Sequence, residues 1–125
     1  MAPADIPKPV RQFISRHIDS IQQVEILALL RRDGERAWTT EQVSRTLHIA
    51  HALCAEWLDR YATAGLVKRD EIGYRHQPGG SQTAVLDELV DLYARRRTTV
   101  IDAIYNKPSG SIQSFSDAFR LRKDL

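Results

Sequence analysis

His48, His51 and Cys54 stand at the spacing H-x2-H-x2-C in the stretch LHIAHALC. Imidazole nitrogens and a thiolate are zinc ligands, so this spacing raises a metal site. Two features argue against it. A helix running through the stretch turns Cys54 inward, and no fourth ligand follows. The thiol is read as a small buried hydrophobe, and neither a metal nor another cofactor is expected. Catalytic signatures are missing from the rest of the chain. It has no glycine-rich phosphate loop, no nucleophile elbow and no carboxylate pair in a defined frame. The lone cysteine has no surroundings that would lower its pKa. No enzyme is expected.

The cations come next, because they decide whether a polyanion is a partner. The chain of 125 residues carries a net charge of +2. Between residues 39 and 67 lie two cations, Arg45 and Arg60, against three anions, Glu41, Glu56 and Asp59. Residues 68–80 hold Lys68, Arg69 and Arg75 against Asp70 and Glu71. No region is strongly basic. Arg95, Arg96 and Arg97 form a triple cation, read as solvated, or as paired with Asp91 and Asp102 at helical spacing, rather than as a nucleic-acid or membrane contact.

Several elements must position these groups. Pro9 suits a first helical turn, and Val10, Phe13, Ile14 and Ile18 recur at helical spacing. Ser20 with Gln23 is a capping-box pattern. It opens a helix with Val24, Leu27 and Leu30 on one face and Ile26 and Leu29 alongside, stopped at Gly34. The stretch ERAW is too short for more than one bridge of strand, and Trp38 plugs the core there. Thr39 with Gln42 caps a short helix that turns Val43 and Leu47 inward. HIAH is a turn, and the next helix has Leu53, Cys54, Trp57, Leu58 and Tyr61 as apolar positions and ends at Gly65. Leu66, Val67, Tyr74 and His76 flank a hairpin turn near Ile72 and Gly73. Pro78-Gly79-Gly80-Ser81 is a break.

Beyond the break, residues 82–105 read as one long helix, roughly 36 Å in length. Leu86, Leu89, Val90, Tyr93, Val100, Ile101 and Ile104 form its stripe. A short terminal helix follows, with Phe115 and Phe119 four apart and Leu121 beside them. A stripe this long needs a second surface. A partner copy is expected to supply it through Leu86, Leu89, Val90, Tyr93, Val100, Ile104, Phe115 and Phe119. The other possibility is that helix and tail fold back over residues 10–30. The tail is also a possible docking surface for a different protein.

SIQQVEILALLRRDG, WTTEQVSRTLHI and LCAEWLDRYATAGLVKRD together resemble the winged-helix superfamily, and small bacterial regulators of the MarR or PadR kind among its branches. The resemblance covers residues 20–78. Three apolar positions precede the glycine of AGLV by eleven, seven and four residues, here Cys54, Leu58 and Tyr61. It implies a mainly α fold: a winged helix-turn-helix with a small β-hairpin wing, a long C-terminal helix and a short terminal helix. The corresponding division is an N-terminal helical arm at 1–19, a winged-helix domain at 20–78 and a C-terminal helical extension at 81–125.

The resemblance also implies a dimeric, DNA-binding transcriptional regulator, with the third helix in the major groove and the wing on the phosphates. By position, the double-stranded DNA contacts are Arg45, His51, Ala52, Ala55, Glu56, Arg60, Lys68, Arg69 and Arg75, with Asp59 beside them. The chain departs from the pattern here. Guanine is read by Arg or Lys and adenine by Asn or Gln, whereas this helix offers alanines and acids. The rival expectation is a protein-protein interaction module on the same scaffold that does not bind DNA. Apolar runs are too short to cross a bilayer, the N-terminus lacks a signal-peptide core, and one cysteine suits a reducing compartment. A cytoplasmic protein is expected.

Overall fold

A computed structural model describes residues 6–77, 79 and 82–106. In chain order they form α1 (Lys8–His17), α2 (Ile21–Arg32), α3 (Thr40–Leu47), α4 (His51–Thr63), β1 (Val67–Arg69), β2 (Tyr74–His76), α5 (Thr83–Arg95) and α6 (Arg97–Tyr105). The described residues are mainly α, with six helices and a two-stranded antiparallel hairpin between α4 and α5.

Local chemistry sets the helix ends. The Thr39 hydroxyl accepts from Gln42 N–H at 3.1 Å, and the Gln42 side-chain oxygen accepts from Thr39 N–H at 3.0 Å, so α3 begins with a closed capping box. At the head of α2 the Gln23 oxygen accepts from both Asp19 and Ser20 N–H. Its amide donates to the His17 carbonyl. Gln23 is fully buried with its hydrogen-bonding capacity matched, so it welds α1 to α2 without leaving an orphan amide. His48 takes the left-handed conformation at φ 58° and ends α3. Ile49 then drops into the core, and its carbonyl accepts from the Ser44 hydroxyl at 2.5 Å. This gives the sharp turn between α3 and α4.

One apolar core runs through all the helices, built on Val10, Phe13, Ile14, Val24, Leu27, Leu30, Val43, Leu58, Leu86 and Leu89 among others. Trp38 is 3% exposed and plugs it. Its backbone pairs with Tyr74 through two hydrogen bonds, Trp38 N–H to Tyr74 O at 2.7 Å and Tyr74 N–H to Trp38 O at 2.8 Å. The hairpin is therefore tied to the segment ahead of α3. Gly73 must be glycine here. A Cβ on it would collide with the Trp38 carbonyl oxygen and lie 2.7 Å from the carbonyl carbon.

The single long helix expected over 82–105 is corrected to two helices broken at Arg96, where φ is −137° and ψ 64°. The break lets the stripes of α5 and α6 both reach α1, and α5 also lies on α2. A straight rod would carry Val100 and Ile104 past the end of the core. Leu86, Leu89, Val100 and Ile104 are each at most 2% exposed. At these four positions the chain itself supplies the second surface that a partner copy was expected to give. Val90 and Tyr93 stay half-buried. The expected terminal helix, with Phe115 and Phe119, lies outside the described residues. No helix among the described residues is long and apolar enough to cross a membrane.

Two stability measurements check this packing. Gly73→Ala is expected to cost roughly 1–3 kcal/mol in denaturant unfolding, because the collision is with backbone rather than a movable side chain. The second concerns His17 and His76. Burial lowers the pKa of His17, with Arg16 and Arg60 adding to the effect. Burial also lowers that of His76; Arg31 acts in the same direction and Asp87 opposes it. The unfolded chain then binds more protons than the folded one just below the ordinary histidine value of about 6.5. Stability should be full above that pH and fall as the solution is acidified towards the folded-state values. The melting temperature at pH 5.5 should lie below that at pH 7.5. Replacing both histidines by Gln should flatten that difference.

Candidate nucleic-acid interface

The α4 helix buries Cys54, Leu58 and Tyr61, the three positions counted back from Gly65. Gly65, at φ 82°, ends the helix and turns the chain into β1. The opposite side of α4 exposes His51, Ala52, Glu56, Asp59 and Arg60, with Ala55 half-buried. Leu53, expected among the apolar positions of this helix, is 40% exposed and belongs to the outer side.

The hairpin stands beside α4 through Asp59. Its Oδ1 accepts from the Tyr74 hydroxyl at 2.7 Å and from the Arg69 guanidinium at 3.0 Å. The Arg69 guanidinium also lies 5.7 Å from the Tyr74 ring centre. Burial raises the Tyr74 pKa, and its hydrogen bond to the Asp59 carboxylate pushes in the same direction. This phenol stays a donor at neutral pH.

The hairpin turn is built on Asp70. Its carboxylate accepts from Gly73 N–H at 3.0 Å and Ile72 N–H at 2.9 Å, and the Arg75 guanidinium closes on it at 2.7 Å. The backbone donors hold its pKa below the usual carboxylate value, and Arg75 assists. Register pairs Lys68 with Arg75 and Arg69 with Tyr74.

Of the residues expected to touch DNA, the structure joins Arg69 to the α4 side and leaves two others elsewhere. Arg45 is bound 2.7 Å from Glu41, one turn earlier on its own helix. Arg75 is held by Asp70 and the Glu35 carbonyl. Arg60 sits 3.9 Å from Glu56, again one turn back. Lys68 is exposed, and no described carboxylate pairs with it. Sequence reasoning missed Tyr74 and the role of Asp59 as the joint between helix and hairpin. The signal was weak: ten residues separate Asp59 from Arg69, and only the turn at Gly65 brings them together.

Among the described residues no three His, Cys, Asp or Glu side chains come together to hold a metal ion. Cys54 is fully buried, with its sulfur 3.9 Å from the Ile49 carbonyl, and burial pushes its thiol pKa up. His48 and His51 are exposed. Arg95 pairs with Asp91 at 3.0 Å, while Arg97 reaches Glu25 at 3.6 Å and lies over the Tyr93 ring.

Asp59→Ala removes the acceptor shared by Tyr74 and Arg69. Since both bonds are partly solvated, about 1 kcal/mol of stability should be lost. Amide exchange should rise in β1 and β2 rather than across the core. Unchanged hairpin protection would show that Asp59 does not hold the two elements together. The chain matches no protein-family model, no curated protein and no solved structure at a significant level, so its geometry and charge carry the functional reading.

Proposed function

We propose that the chain is a winged-helix module whose α4–hairpin side contacts a protein and does not read duplex DNA. The scaffold reading is supported by the order α2, the Trp38 bridge, α3, α4 and a hairpin whose second strand pairs back to that bridge. The observation that carries the function is charge matching. Across residues 39–77 the five cations Arg45, Arg60, Lys68, Arg69 and Arg75 meet the five anions Glu41, Glu56, Asp59, Asp70 and Glu71. Four of those cations already lie beside a carboxylate.

Exposed ion pairs are worth only about 0–1 kcal/mol, so breaking them is not the obstacle. The obstacle is the net charge that remains. Each phosphate that an arginine approaches also meets that arginine's carboxylate. Little counterion release is then left to drive association. The positions that would read bases on α4 include Ala52, Ala55 and Glu56, and none of these is the Arg, Asn or Gln that purines require. The exposed apolar groups Leu53 on α4 and Ile72 at the hairpin turn, 40% and 66% exposed, suit contact with a protein better than with phosphate.

The second reading is a dimeric, DNA-binding transcriptional regulator. It is favoured by Lys68 and Arg69, adjacent and exposed on β1, as wing residues on a phosphate backbone would be.

Titration of random duplex at about 50 mM salt separates the two readings. The protein-contact reading expects no saturable binding up to about 100 µM protein, the weak end of non-specific affinity. It also expects Glu56→Lys, which shifts the local charge by two, to gain weak binding that salt abolishes. Micromolar or tighter binding by the unaltered chain would establish the regulator instead. In that case Lys68→Ala with Arg69→Ala should weaken all sequences alike.

A further inference from the structure

An open groove of about 540 Å³ lies between α2, α3 and α5, apart from the α4–hairpin side. Ala28, Leu29, Leu47 and Val90 give it an apolar lining. Its polar wall is set: the Tyr93 hydroxyl donates to Glu25 at 2.9 Å, and Arg97 approaches the same carboxylate. Burial, and then that bond, push the Tyr93 pKa up to about 12. Arg32 stands exposed at the rim, with no ion pair to a described residue.

We propose that residues 112–121 of the same chain occupy this groove. Ile112, Phe115 and Phe119 recur at helical spacing in that segment, and Asp117 falls between the two phenylalanines. They supply an apolar stripe for the lining and an anion for Arg32. The reach is short. The Tyr105 hydroxyl accepts from Ile21 N–H at 3.0 Å, which places the end of α6 at the first turn of α2. Leu29 lies about 12 Å farther along α2. The five residues 107–111 span up to about 17 Å when extended, enough to cover that distance.

Backbone amide spectra of the full chain and of Phe115→Ala/Phe119→Ala test this. Both substitutions lie outside the described core. The expected result is a set of shift changes at Ala28, Leu47 and Val90, identical at low and high protein concentration. A second variant, Ala28→Cys/Phe119→Cys, should form a disulfide within the monomer while buried Cys54 stays reduced. Changes confined to the neighbours of residues 115 and 119, together with no cross-link, would overturn the proposal and leave the groove to another protein. Cross-linked dimers and concentration-dependent shifts would also overturn it, by placing the tail in the groove of a second copy.

Discussion

Two backbone hydrogen bonds between Trp38 and Tyr74 hold the α4–hairpin side in place. They are possible only because Gly73 brings no side chain to the turn, so the backbone of Trp38 can approach it closely. With that bridge made, Trp38 seals the core from above α3 and Tyr74 is oriented towards α4. Its hydroxyl then finds Asp59, and Arg69 follows on the neighbouring strand. A short hairpin alone is marginal in water. Here it gains order from a tryptophan on one side and a helix carboxylate on the other.

The same network decides the electrostatics. A positive groove needs cations whose countercharges lie elsewhere. In this molecule the carboxylates lie one helical turn from their arginines, as with Glu41 and Arg45 or Glu56 and Arg60, or across the hairpin, as with Asp70 and Arg75. Pairing at that range sets a carboxylate within 4 Å of each of these arginines. Lys68 is the cation of this side left without a described carboxylate.

At the other end of the domain the apolar stripe of residues 86–104 closes on its own chain. The break at Arg96 leaves two short helices, α5 and α6, both packed on α1. Nothing at the bend announces it, since Arg96 is neither glycine nor proline. The run Thr98-Thr99-Val100-Ile101 is β-branched throughout and lowers helix propensity locally. That is a bias towards a break rather than a signal for one.

Much of the architecture follows from local rules that act within a few residues. Apolar spacing sets the inward faces of α1 to α4, the Thr39–Gln42 box opens α3, and Gly65 and Gly73 mark the turns, because periodicity and dihedral preference are properties of short segments. The equality of cations and anions over residues 39–77 is also a property of the chain alone. The pairs Glu41–Arg45 and Glu56–Arg60 are equally local, one helical turn apart. The outward turn of Leu53, the break at Arg96 and the meeting of Asp59, Arg69 and Tyr74 are not, because they depend on distances between groups ten or more residues apart or on how helices share one core. Such distances exist only once burial has chosen a single packing.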